Sequence, residues 1–457
     1  MIEAAPSRAQ PSSTLAFDSD QRRIRRHIVR SSSIPGWKLV TYSANQLGIN
    51  LLWQAFNTVA VFFYVTVLKV PGTTLSTGLI AYGIINAFLN LAAGYLSDRT
   101  KTRWGRRIPY VLMGSLPFGL AFFFLFSPPH LPSSGLIYYF LGFTFLFDLF
   151  FTITALNATA LYPEMYQKPQ QRSFVAALQQ MFGIAGLILG VALAKSLGET
   201  MGWSSMALIF GIIGAGSLYV SVLGSFENPA YSEAPLALRQ AIRETFRNKR
   251  FVAFVIASFL IQLVTTMLTT VSSFYSKYVV PLTPLESSIF MGAIFIVAIP
   301  VSFIWAKLSL KIGSALAMTI STALCLATLL LFMIDTTPVM VMLTGALLGL
   351  SVSGFLVLLN VILAEVIDFD ALTTGKRREG MYLGMNGFII RIGLSVQYAI
   401  MAVFFAVSGY NAHHATQSAS AIFGFRLLLG AVPAAFLLIA LVFLRAYRRL
   451  LRPTSAA

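Results

Sequence analysis

The sequence is poor in charge. Only 11% of its 457 residues are Asp, Glu, Lys or Arg, against about 25% in a typical soluble domain. A soluble chain of this length would form two or three domains, and these charges are too few to cover them. Cysteine is almost missing as well. The single Cys325 excludes an intramolecular disulfide, and one cysteine with four histidines makes a dense metal site unexpected. His27, His130, His413 and His414 lie outside the apolar runs, and no nucleophile–base spacing stands out. No enzyme is expected. What abounds is apolar surface: 57% of the chain is hydrophobic. The composition points to a polytopic membrane protein.

A membrane helix needs about 20 largely apolar residues. Twelve such segments are predicted, at 39–68, 73–97, 108–128, 135–162, 173–197, 203–225, 251–280, 285–306, 315–334, 338–366, 380–409 and 420–444. Runs this long are helices, because lipid cannot satisfy an open sheet edge. The alternation of a membrane β-barrel is absent. The expected class is all-α.

The charges sort by side. Of 33 Lys and Arg, Lys69, Lys195 and Lys277 fall in the connections after spans 1, 5 and 7. Arg391 and Arg426 fall inside spans. The remaining 28 sit in the tails and the even-numbered connections. By the positive-inside rule that side is cytoplasmic, so both termini are expected inside the cell (bacterial inner or plasma) membrane. The net charge of +17 is therefore mostly topology, and no nucleic-acid partner is expected. The partners expected are a small-molecule substrate and membrane lipids, with the chain acting as a monomer.

The longest central hydrophilic stretch separates six spans from six. That layout is the signature of two pseudo-symmetric transporter halves. The expected division is a basic tail over 1–38, a six-helix bundle over 39–225, a linker over 226–250, a second bundle over 251–445 and a tail over 446–457. The N-terminal tail, rich in Ser and Arg, has no apolar run, so a cleaved secretory signal is not expected there. Its basic end would lie near anionic headgroups. The halves echo each other at their cytoplasmic ends. After span 2 come Asp98, Arg99, Arg103, Gly105, Arg106 and Arg107, with a degenerate copy at Lys307–Gly313 after span 8. After span 4 come Glu164 and Arg172. After span 10 come Glu365, Asp368 and Asp370, then Lys376, Arg377, Arg378 and Glu379. Carboxylates beside basic residues at helix ends can latch one state and release another. Simple anchoring needs the bases but not the carboxylates.

Ionisable residues at membrane depth are costly and are functional hypotheses by default. Of 16 carboxylates, only Asp148 falls in mid-span, on span 4. Its natural partner is Arg391 on span 11. Either the pair is a fixed strut between two helices, or it binds substrate, with Asp148 able to take a proton. Gln46, Asn50, Gln54 and Asn57 form one stripe on span 1, with Trp53 beside it. Asn86 and Asn90 are one turn apart on span 2, as are Asp148 and Thr152 on span 4. Gln179 lies on span 5 and Asn386 on span 11. Amides in lipid would be unsatisfied, so these should face the bundle interior. Each serves either as helix–helix glue or as cavity wall, and Trp53 either packs or stacks on a sugar ring. Gly183, Gly186 and Gly190 on span 5 would allow close helix approach.

The segments Asp98-Arg-Thr-Lys-Thr-Arg-Trp-Gly-Arg-Arg and Ala364-Glu-Val-Ile-Asp-Phe-Asp, with Gly375-Lys-Arg-Arg-Glu-Gly, resemble the glycoside–pentoside–hexuronide:cation symporters. That is the melibiose-permease-like branch of the major facilitator superfamily. The likeness covers nearly all of residues 40–445. It implies a major facilitator fold of 12 transmembrane helices in 6+6 halves, and it implies alternating access. It implies a sugar-recognising carboxylate at Asp148 and a basic residue at Arg391. It also implies a cation site at Asn86 and Asn90, where the family has two aspartates. Amides bring no charge, so span-2 sodium coupling in its usual form is not expected. The Lys-Asp pair expected on span 1 of the melibiose permease itself appears as Ile49-Asn50, and an arginine expected on span 5 appears as Gln179.

The expected function is secondary active or facilitative transport of a small organic solute, most simply a sugar or glycoside derivative. Asp148, Arg391, Asn50, Trp53, Thr152, Gln179 and Asn386 are the expected substrate contacts. No cofactor is expected; the coupling ion is H+, Na+ or none. Two alternatives stay open. One is a lysolipid or amphiphile carrier of the same fold. The other is a non-transporting sensor or assembly factor.

Overall fold

A computed structural model of the chain describes residues 34–99, 102, 105–166, 169–227, 246–374, 379–414 and 416–451. Within these, the side chains of 87–99, 163–164, 169–170, 172–173, 371, 374, 379–381 and 383 are not described. Each of the twelve predicted runs is helical. Span 1 is Gly36–Ser43 and Asn45–Phe62, closed by a π-turn at Phe63–Val67. Spans 2, 3 and 4 are Gly72–Arg99, Ile108–Leu125 and Ser133–Met165. Span 5 is Pro169–Ile188, a second π-turn at Leu189–Leu193, and Ala194–Met201. Span 6 is Trp203–Gly224. Spans 7 to 11 are Lys249–Tyr278, Pro284–Ile312, Ser314–Leu331, Pro338–Thr374 and Glu379–Val407. Span 12 is Ala419–Leu429 and Ala431–Leu451, broken at Gly430. Eleven of these are long and apolar enough to cross a membrane over their described residues. The twelfth, span 2, is 28 residues long.

Several helices outrun their apolar cores. Span 10 continues through Glu365, Asp368 and Asp370 to Thr374, so these acids stand on the helix and not in a connection. Span 12 continues to Leu451, with Arg448 and Arg449 in its last turn. Basic groups there complement the partial negative charge of a helix C-terminus. Lys195 and Lys277 are likewise helical rather than in connections.

Alternation puts the start of span 1, the end of span 12 and the span 6–7 connection at one end, called here the terminal face. The opposite end is the far face. Within the first half, span 1 packs on span 5 through Gly186 and Gly190. A Cβ at Gly186 would stand 2.3 Å from the Leu47 carbonyl oxygen, and one at Gly190 would stand 2.6 Å from that of Leu51. Small residues let helix backbones approach this closely. Between halves, span 2 packs on span 11, span 1 on span 7, and the lower part of span 5 on span 8.

The far face is sewn together by hydroxyls. Thr270 donates to the Asn57 carbonyl and Ser273 to that of Thr58, each at 2.8 Å. The Tyr410 hydroxyl meets Thr66 at 3.1 Å and Tyr278 at 3.2 Å. Lys69 donates to the Ala412 carbonyl. Phe62, Phe274, Phe405 and Phe425 fill the space behind them. These bonds all join the first half to the second or brace the residues that do.

Candidate functional site at the middle of the bundle

Span 4 is apolar for almost its whole length, which buries whatever polar group it carries. Asp148 is fully buried, and its neighbour one turn on, Thr152, is 1% exposed. Across the interface, Arg391 of span 11 reaches back toward span 2 and span 4. Its guanidinium donates to Oδ1 of Asn86. Both terminal nitrogens lie 3.4 Å from Thr152 Oγ1. Asp148 Oδ2 is 3.7 Å from Nη1. Asn86 in turn donates to the Tyr82 hydroxyl at 3.2 Å, and that hydroxyl stands beside Asp148. One cation thus ties spans 2 and 4 of the first half to span 11 of the second.

The knot is incompletely satisfied. Neither carboxylate oxygen of Asp148 makes a well-formed hydrogen bond among the described residues, although the Tyr82 hydroxyl and the Arg391 guanidinium stand close to it. A buried acceptor left so costs about 1–3 kcal/mol, more when charged. The attraction of the nearby guanidinium offsets part of that. The Arg391 side chain keeps 14% exposure, so the knot is reachable from its cationic side.

The other expected contacts are distributed unevenly. Trp53 stacks on Phe151 of span 4 at 4.3 Å and 16°. Phe151 in turn carries the Arg391 guanidinium 5.9 Å from its ring centre. Trp53 therefore borders the knot through Phe151, a residue that sequence reasoning passed over. Asn50 instead bonds Gln46 at 2.9 and 3.2 Å and faces Gly183 of span 5. Gln179 lies beside the Tyr42 hydroxyl, which donates to the Ala158 carbonyl at 2.7 Å. That level is about 15 Å along span 4 from Asp148, at 1.5 Å per residue. Asn386 sits on span 11 more than a turn nearer the terminal face, its buried Oδ1 without a described partner. Of the expected cation ligands, Asn86 has its oxygen taken by Arg391, and the Asn90 side chain lies outside the described residues. A hollow of about 20 Å³ between Val191, Leu268, Met291 and Leu348 is separate from the knot and has room for about one water.

At the terminal face, the side chains of Asp98, Arg99, Glu164, Arg172 and Glu379, and residues Arg103, Lys376, Arg377 and Arg378, also lie outside the described set. What is described shows two carboxylates seated on helix starts. Glu227, just past span 6, accepts from the backbone N–H of Arg106 and Arg107 at 2.6 Å and of Ile108 at 2.8 Å. An acid there meets the free N–H groups and positive dipole end of span 3. Gly105 makes this possible: its φ is +105°, and a Cβ would stand 2.5 Å from the Glu227 carboxyl. In the second half Glu365 accepts from Ser314, at the start of span 9, at 2.5 Å. Beside it Arg250 stacks on Phe369 at 3.4 Å.

The charge knot joins the two six-helix halves, and no group of three or more His, Cys, Asp or Glu that could hold a metal ion occurs among the described residues. The model for the family described as MFS/sugar transport protein matches residues 41–448, and the chain belongs to that family. It is a membrane transporter that moves a small solute by alternating access, and it is not an enzyme. It is 24% identical over 410 residues to an isoprimeverose transporter of Lactiplantibacillus pentosus, covering 86% of this chain and 85% of that one. It is 24% identical to a glucuronide carrier protein homolog of Escherichia coli (strain K12), covering 90% and 92%. Its fold matches an inward-facing, unoccupied bacterial homolog of the human lysosomal transporter Spinster with TM-score 0.68 at 15% identity. That match covers 93% of this chain and 100% of the other. The D323A nucleoside transporter NupG matches equally, with TM-score 0.68 at 14% identity over 91% and 100%.

Proposed function

We propose that the chain carries a sugar derivative across the cell membrane without sodium, and that Asp148 and Arg391 are its binding pair. The charge bias of the connections supports placing both termini and the linker in the cytoplasm. The sewn far face is then the closed outer gate.

The observation that carries this reading is the bond from Arg391 to Asn86. The span-2 amide oxygen holds a tethered guanidinium in place of a free ion. Asp148 and Arg391 cancel, and Asn86, Thr152 and Tyr82 add no charge. Hard cations need oxygen ligands with negative charge to spare, and the knot has none. A sugar suits it better. Each hydroxyl can donate to Asp148, whose oxygens make no well-formed hydrogen bond, and accept from Arg391, which has five N–H groups. Asp148 is also the one mid-span carboxylate able to carry a proton. The names of the relatives point the same way, toward isoprimeverose and glucuronides.

The test is thermal stabilisation of the purified protein by glycosides, free sugars, uronic acids and lysolipids, each with and without sodium. A ligand that binds the folded state raises its stability by mass action. A sugar derivative should stabilise the wild type, sodium should add nothing, and Asp148→Asn should abolish the shift. Stabilisation by lysolipids alone, in the variant too, would overturn the sugar reading.

A further inference from the structure

We propose that Lys69, Lys195 and Lys277 form an anion-recognition site at the far mouth, which takes the carboxylate of an acidic solute bound for Arg391. The proposal rests on the transport reading above and adds a second site to it.

The pattern places these three of the 33 Lys and Arg in the far-side connections, and they converge from the ends of spans 1, 5 and 7, whereas Arg426 is taken up by the carbonyls of Phe332 and Met333. Lys195 of span 5 and Lys277 of span 7 sit over the same Phe62 ring, at 5.2 and 5.4 Å. Lys277 is within electrostatic reach of Lys69 and Glu199. Like charges repel when gathered, so such a cluster needs a reason. Glu199, one turn on from Lys195, is the charge that both Lys195 and Lys277 feel most, but it is one negative charge against three positive. Glu199 is exposed. Glu286 is engaged in the Thr283 capping box. Asp335 faces Thr344 and Arg426.

Two details say the cluster is held on purpose. Lys69 adopts φ +62°, the one non-glycine residue with positive φ among the described residues. A side chain in that left-handed region is strained, and such strain gathers at functional positions. Lys195 is 2% exposed and has one described hydrogen bond, to Ser276 Oγ at 2.6 Å. An ammonium has three donors. Ser276 belongs to the second half. When the far face opens, spans 5 and 7 part and Ser276 leaves with its half. The ammonium then loses its acceptor just as the mouth meets outside solution. A carboxylate arriving there replaces the hydroxyl with a charge-assisted bond.

The test compares nitrophenyl β-glucuronide with nitrophenyl β-glucoside in proteoliposomes of the full chain. Lys195→Met should raise the KM for the acidic probe about tenfold, the scale of one bond to a charged group. The neutral probe should be unaffected, and Lys195→Arg should keep most of the preference. Equal losses on both probes would overturn the proposal, because the lysine would then be structural. If phosphate competes with both probes in the wild type and not in Lys195→Met, the site takes a free inorganic anion and the cargo assignment fails. If neither probe moves, the transport reading is what fails. Thermal shifts still decide the site: glucuronate should stabilise the wild type more than Lys195→Met, glucose should not, and no difference would refute it.

Discussion

The middle of the bundle and its far face join the same two halves by opposite means. At the far face most joints are neutral hydroxyls meeting carbonyls and each other, at 2.8–3.2 Å, with two lysines, Lys69 and Lys195, donating to a carbonyl and a hydroxyl and not to an acid. Polar contacts inside membrane bundles average about 0.6 kcal/mol each. A row of them can be undone one by one and remade in every transport cycle. At the middle the joint is ionic, with a buried acid 3.7 Å from a guanidinium that also holds Asn86. Separating those charges in an apolar interior is expensive unless something replaces one of them. On the proposed reading, the difference separates a gate from a sensor of cargo: the seam would open thermally, and the knot would change only when a ligand or a proton offers an alternative partner.

The largest effect should come from breaking the knot. Arg391→Ala leaves Asp148 buried and alone, and removal of one partner of a buried pair costs roughly 3–5 kcal/mol. The double variant Arg391→Ala with Asp148→Asn removes the charge as well. It should be more stable than Arg391→Ala, although both lose transport. The measurement is thermal unfolding in detergent. If the double variant is no more stable, the two groups are uncoupled and the contrast with the seam collapses.

Much of this architecture was legible in the chain. The twelve apolar runs became helices because lipid leaves the backbone no other partner. Asp148 and Arg391 stood out because charge in mid-span is rare. What could not be read depends on neighbours from distant segments. The π-turns at Phe63–Val67 and Leu189–Leu193 leave no mark in composition. Lys195 lies near a span end and reads as a connection, yet the structure buries it against Ser276. Phe151 is one phenylalanine among 38, and only its place between Trp53 and Arg391 distinguishes it. Glu227 falls within the expected linker over 226–250, and its seat on span 3 is set by the backbone at Gly105.

A smaller effect should come from the seam. Tyr410→Phe removes the hydroxyl shared by Thr66 and Tyr278 and keeps the ring against Phe274 and Phe425. Two lost contacts amount to about 1 kcal/mol. That should favour the open far face about fivefold. Cys325 is buried, so a reporter cysteine in place of Ala60, 1% exposed in this closed state, would be the labelling site. Its reaction with a polar maleimide added from outside should quicken by the same factor, with unfolding almost unchanged. An unchanged rate would show that the aromatic packing, and not the hydroxyls, holds the gate.

The smallest effect sharpens the comparison from within the knot. Thr152 Oγ1 is 3.4 Å from both terminal nitrogens of Arg391, at the outer limit of a useful hydrogen bond. Asn86, in contrast, accepts directly from the same guanidinium. If the arginine is held chiefly by Asn86 and Asp148, Thr152→Val should change stability by less than about 0.5 kcal/mol, as a weak contact replaced by a similar shape. Its effect should appear instead in ligand binding, where the hydroxyl would complete the polar wall around a sugar. A loss of stability comparable to that of Arg391→Ala would mean that the threonine closes an essential network. Arg391 would then be fixed on three sides, too rigidly to exchange Asp148 for cargo, and the knot would be a strut like the arginine cap on span 9, where Arg426 donates to the carbonyls of Phe332 and Met333 at 3.2 and 3.0 Å.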